Sequence, residues 1–208
     1  RVAIIKTGIG KWYGIKQDFD EWQELYDKHP IGINALESYD LNMIQLANKS
    51  LGLPYDKIES EVFRFDEPKI ALPDRYITVS NGVDTWHQGL RQTKCWDNVY
   101  WQMVIDQCDI PVIHIGTGYD QALKNTIDLR GKTTIHEMLY ILKNATAILC
   151  TEGGLMHLGY AVGNPNTIVL RGPTRGNFYG YKSQHQIDSE VCELCYWENG
   201  DWYKDCVK

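Results

Sequence analysis

Apolar and polar positions follow two different periods along this chain, and the change between them divides it. From Tyr76 onward, short aliphatic runs alternate with segments whose apolar residues recur at helical spacing. The runs Tyr76–Ser80, Pro111–Ile115, Ala147–Cys150 and Thr167–Leu170 are too short and too aliphatic for anything but buried strands. Between them, Trp96–Cys108, Thr134–Lys143 and Leu155–Val162 read as helices, the last closed by Gly163. Strand–helix alternation of this kind predicts right-handed crossovers and a parallel sheet with helices on both faces, a Rossmann-like α/β fold. Upstream the pattern is weaker. Val2–Ile5 suits a short strand, and Leu36, Met43, Ile44, Ala47 and Leu51 mark a helix from about Asn34 to Ser50, stopped by Gly52 and Pro54. Three parts are therefore expected: a short N-terminal segment over 1–72, a nucleotide-binding Rossmann-like domain over 73–183, and a cysteine-containing tail over 184–208.

Composition narrows the classes of function. The 208 residues carry a net charge of −6, with 21 Lys and Arg scattered rather than clustered, which argues against a nucleic-acid partner. No apolar run approaches the length that spans a bilayer, and Arg1-Val2-Ala3-Ile4-Ile5 lacks the features of a signal peptide. A cytoplasmic protein is expected, with attachment to the inner membrane surface, if any, peripheral.

Every loop after a predicted strand carries suitable chemistry. Ser80-Asn81-Gly82 leads to Arg91 and Lys94, two cations that could neutralise a diphosphate or form a solvated basic loop. Gly116-Thr117-Gly118-Tyr119-Asp120 delivers a carboxylate suited to a ribose diol or to a helix N-cap. Glu152-Gly153-Gly154 turns from strand into helix. Its glycines let a ligand approach the backbone, and the helix start offers unpaired N–H groups to an anion. Arg171-Gly172-Pro173-Thr174 makes a fourth turn at the same crevice. His157 lies inside the helix, where a packed histidine bonding a loop backbone fits better than a general base. A diphosphate-linked sugar presents both the anion and the hydroxyls that this set of loops would recognise.

The run Glu152-Gly153-Gly154-Leu155-Met156-His157-Leu158, followed by Gly163, Pro165 and Gly172-Pro173-Thr174, resembles the signature of glycosyltransferase family nine, the ADP-heptose:lipopolysaccharide heptosyltransferases. Asp128–Thr134 and Lys94-Cys95-Trp96 resemble two further elements, so the likeness covers roughly residues 70 to 206. It implies the C-terminal, donor-binding half of a two-Rossmann, B-type transferase that is inverting and needs no metal for catalysis. The implied partners are a nucleotide-diphosphate sugar and a glycan or lipid-linked acceptor. Lys94 would contact the donor phosphates, Asp120 the ribose, and Glu152 would stand where the family has an aspartate beside the sugar. Gly153, Gly154, Leu155 and Met156 would offer backbone N–H groups to the diphosphate, and Gly116, Thr117 and His157 complete the expected donor set. Glu in place of Asp, Gly153 in place of Thr or Ser, and Leu155 in place of Pro depart from the pattern.

Gly8-Ile9-Gly10-Lys11 resembles the family's opening with a lysine where an acid belongs, and the segment before Asn34 is too short for a second Rossmann fold. A remnant or fragment of an acceptor domain is expected there, and no catalytic base is identified. A catalytically inactive sugar-nucleotide-binding module is therefore the alternative. A homo-oligomer or assembly protein built on the tail is another. In that tail, Cys192, Cys195 and Cys206 suit a structural zinc or iron site lacking its fourth ligand, or else free thiols or a disulfide.

Overall fold

The computed structural model describes Asn42, Ile44, Gln45, Pro54, Asp56, Ile58, Val62 and residues 64–82, 94–172 and 179–188. The chain divides into two compact units, Arg1–Ile58 and Glu59–Lys208, where the sequence suggested a boundary after residue 72. In the first unit, Ile44 and Gln45 are helical. The Asn42 side chain accepts from the Ile44 amide (3.0 Å), and the Asn42 amide donates to Gln45 Oε1 (3.0 Å). That reciprocal pair is an N-terminal cap, so the helix that holds Ile44 and Gln45 begins after Asn42; the other residues of the helix expected from about Asn34 to Ser50 lie outside the described residues.

The second unit holds six parallel strands and three helices among the described residues. They run β1 (Ile77–Ser80), α1 (Asn98–Ile105), β2 (Val112–His114), β3 (Ile127–Asp128), α2 (Ile135–Asn144), β4 (Ala147–Thr151), α3 (Gly154–Ala161), β5 (Thr167–Leu170) and β6 (His185–Ile187). The sheet order is β3-β2-β1-β4-β5-β6, with every neighbouring pair parallel. Strand order therefore reverses between β1 and β4, the switch point at which α/β sheets open a crevice beyond their carboxyl ends. The predicted Rossmann-like architecture is the one observed. Its two edge strands, β3 and β6, lie outside the sequence-predicted set, and β6 extends the sheet past residue 183.

Alternate residues of the strands feed two cores. Ile113, Ile148, Cys150 and Val169 pack with Ile141, Leu142 and Met156 under α2 and α3. Val79 and Val112 pack with Trp101, Ile105 and Leu123 under α1. Burial of both sheet faces explains why the strands read as continuous apolar runs. Thr134 begins α2 with a full capping box to Glu137. Gly159 lets α3 lie close on the sheet, because a Cβ there would stand 2.9 Å from Thr167 Oγ1 and 3.2 Å from Ile148 Cδ1. That close seat sets the first turn of α3 directly over the carboxyl ends of β4 and β5.

Candidate functional site

The expected site residues that the structure describes fall into two differently built halves at the carboxyl ends of the strands. The first half lies beyond β2 and β3. Gly116, at φ +145, and the uncluttered backbone of Gly82 leave room for the Asp120 carboxylate, since a Cβ at either position would collide with it. Asp120 closes its own loop: its carboxylate accepts from the Thr117 amide (2.6 Å) and the Thr117 hydroxyl (2.9 Å). No helix starts at Asp120, so the N-cap alternative does not apply. Arg130 grips Asp128 through Nε (2.8 Å) and Nη2 (2.9 Å) and donates from Nη1 to the Asp120 carbonyl. The Arg130 guanidinium holds the Asp128 carboxyl well below the usual carboxylate range. The Gly131 amide donates to the Gly116 carbonyl (2.9 Å), which welds this turn to the Asp120 loop.

Beneath this half lies a buried histidine that the sequence did not single out. Asn81 Nδ2 donates to Asn98 Oδ1 (2.6 Å) and to the Gln121 carbonyl (2.9 Å). A carbonyl can only accept, so the Asn81 amide is oriented with its oxygen toward His114 Nε2, 2.8 Å away. His114 therefore carries its proton on Nε2, and its buried Nδ1 has no partner. Burial, helped by the Arg130 charge, lowers the His114 pKa to about 4.

The second half lies beyond β4 and β5. Lys94 Nζ sits 2.7 Å from Glu152 Oε1, so two residues 58 apart in sequence meet as expected for one site. The Glu152 side chain is 3% exposed, and its other oxygen, Oε2, is buried without a partner. Lys94 is 22% exposed, and its ammonium also lies 5.6 Å from the centre of the Tyr179 ring. Gly153 precedes α3 in extended backbone, and among the described residues no side chain caps the helix. Gly153 and Gly154 are exposed, Leu155 half-buried and Met156 fully buried. An open helix start beside a lysine is the arrangement that favours an anion.

His157, one turn further, hydrogen-bonds through Nδ1 to the Tyr181 hydroxyl (2.7 Å). Its partner is thus a side chain, not the loop backbone expected from the sequence. Burial and then the Lys94 charge lower the His157 pKa, and Tyr181, stacked on Tyr160 at 3.7 Å, is pushed up to about 12 by burial. Glu152 donates its amide to the Leu170 carbonyl (3.0 Å), next to Arg171 just past the end of β5. Arg171 pairs with Asp188, while its buried Nε and Nη1 have no partner. Gln184 donates to the Met156 carbonyl (2.7 Å), leaving its buried Oε1 unmatched. Arg171 was anticipated only as part of the fourth turn, and the neighbouring Tyr179, Tyr181 and Gln184 were not singled out. The one signal available was the aromatic cluster Tyr179-Gly180-Tyr181.

Arg91, Pro173, Thr174, Cys192, Cys195 and Cys206 lie outside the described residues. Cys150 is buried, with its thiol pushed up to about 12 by that burial, whereas Cys95 and Cys108 are half-buried. No described helix is long and apolar enough to cross a membrane.

Comparison with known proteins agrees with the fold. The model of glycosyltransferase family 9 (heptosyltransferase) matches residues 1–197. Lipooligosaccharide heptosyltransferase 2 of Haemophilus influenzae is 42% identical over 48 residues, which are 23% of this chain and 14% of that protein. Among solved structures, the iron-containing dodecameric glycosyltransferase TibC from enterotoxigenic E. coli superposes with a TM-score of 0.60 at 19% identity, over 77% of this chain and 43% of TibC. A TibC heptosyltransferase complex with ADP-D-β-D-heptose gives a TM-score of 0.58 at 20% identity, with the same coverage. The family 9 glycosyl transferase of Veillonella parvula gives 0.52 at 18%, over 78% of this chain and 51% of that one. The chain thus spans about half, or less, of the relatives it matches.

Proposed function

The chain belongs to glycosyltransferase family 9, and on that premise we propose that the crevice beyond β4 and β5 binds the diphosphate of a nucleotide sugar. The protein would then supply the donor half of a heptosyltransferase. The observation that carries this reading is the uncapped first turn of α3 with Lys94 lodged against Glu152 beside it. Main-chain N–H groups and an ammonium meet the charge that develops on the diphosphate as the sugar departs, without reorganising. The self-braced loop at Gly116, Thr117 and Asp120 offers a rigid wall for the nucleoside. The acceptor, a glycan or lipid-linked hydroxyl, attacks from the sugar's opposite face and inverts the anomeric carbon, with no metal ion needed. Since TibC was solved with ADP-D-β-D-heptose, that compound and ADP are the natural probes.

A second reading has its own support. The basic groups of the site are committed, Glu152 to Lys94 and His157 to Tyr181, which suits a module that binds a sugar nucleotide without turning it over. Release of ADP from ADP-D-β-D-heptose by the chain, with or without an acceptor, counts against that reading. For the donor site itself, Lys94→Ala should raise the calorimetric Kd for ADP at least about tenfold, the value of a charge-assisted hydrogen bond. Unchanged affinity removes Lys94 from the site.

A further inference from the structure

Glu152 and a diphosphate compete for one ammonium. Lys94 is the only cation paired with Glu152 among the described residues, and the carboxylate is almost wholly buried with Oε2 unmatched. An acid that deep depends on its counter-ion, because removing one partner of a buried pair leaves an uncompensated charge. Yet the exposed part of Lys94 stands beside the open start of α3, where an incoming diphosphate would draw it. A bare nucleoside diphosphate takes the lysine and gives the acid nothing in return. A diphosphate that still carries its sugar also brings hydroxyls, and a hydroxyl can donate to the carboxylate that the lysine leaves.

We propose that Glu152 is the residue that makes this site prefer a glycosylated diphosphate to the bare nucleoside diphosphate, by holding Lys94 until a sugar hydroxyl takes its place. The inference rests on the diphosphate reading of the first turn of α3 and adds to it a basis for releasing product in favour of fresh donor. The acid acts through an interaction that one ligand restores and the other does not, which is how discrimination arises from unmatched buried groups.

The test is calorimetry of the chain with ADP and with ADP-D-β-D-heptose, in the native protein and in the Glu152→Gln, Lys94→Gln and doubly substituted variants. Glu152→Gln should tighten ADP about tenfold, because the lysine is released, and should not tighten the sugar nucleotide, so the preference between them collapses. With Lys94 already replaced, the same substitution should change ADP affinity less than about twofold. Weaker ADP binding by Glu152→Gln would mean that the acid merely positions the lysine, and overturns the proposal. Equal tightening in the Lys94→Gln background would mean simple repulsion through space, and overturns it too. Should Glu152→Gln not fold, a structure of the native chain with ADP decides. Lys94 Nζ displaced from Glu152 Oε1 supports the competition, and an ion pair still at 2.7 Å refutes it. Native protein that binds neither compound defeats the diphosphate reading itself, whereas ADP binding with the wrong response to Glu152→Gln defeats only this inference.

Discussion

The two ends of the crevice solve the same problem in opposite ways. Beyond β2 and β3, the loop groups satisfy one another: Asp120 bonds Thr117, Arg130 clamps Asp128 and the Asp120 carbonyl, and the glycine turns interlock, while the unmatched His114 Nδ1 lies beneath them. Beyond β4 and β5, matching stops short. Glu152 Oε2, two nitrogens of Arg171 and Gln184 Oε1 are buried without partners, and the first turn of α3 has no side-chain cap. An unmatched buried polar atom costs on the order of 1–3 kcal/mol, and more when charged. A fold therefore keeps several together where a ligand or a function offsets them. The contrast teaches that the interlocked loops suit a scaffold, and that the unmatched groups lie together on the surface proposed to take the donor.

If that division is right, changes in the first half should cost stability, whereas removing an unmatched group from the second should not. The largest effect should come from His114, beneath the braced half. Its folded pKa of about 4 lies below the unfolded value of about 6.5. The unfolded chain thus takes up the proton first as pH falls, and stability is lost between those values. About 3 kcal/mol should disappear between pH 7 and pH 4 in urea titrations, and His114→Asn should lack most of that dependence. A similar loss in the variant would place the acid sensitivity elsewhere.

Next in size, Gly116→Ala should destabilise by about 2 kcal/mol, since φ +145 and the Asp120 carboxylate both oppose a Cβ. Adding Asp120→Ala should recover part of the loss in thermal unfolding, and no recovery would deny the steric link. In the other half the signs should differ. Asp188→Asn, which strips Arg171 of its ion pair, should cost about 1 kcal/mol, whereas Arg171→Met should be neutral or stabilising, because it removes a buried charge that is only half matched. A large loss with Arg171→Met would erase the comparison.

The main architecture was legible in the sequence because four of the strands are buried on both faces and carry that burial in their composition. Thr167–Leu170 is observed as expected, and the other three predicted strands shift by a residue at their ends. Strands β3 and β6 were not legible, because edge strands of two and three residues, such as His185-Gln186-Ile187, carry neither an apolar run nor a period. The cap that Asn42 and Gln45 form before Ile44 was not legible, since a side chain that caps a helix looks no different in sequence from one on its surface.

By itself, then, the sequence determined which turns follow which strands, and with them the glycine-rich helix start and the loops that carry Lys94, Asp120 and Glu152. Local spacing suffices for that, since a turn and its helix are neighbours along the chain. Only the tertiary structure decided the pairings: Lys94 with Glu152, His157 with Tyr181, and Asp120 turned inward to Thr117. The first two join residues 58 and 24 positions apart, and burial in a folded crevice sets the strength of each charge in them. Neither the distance nor the burial is written in any local stretch of residues.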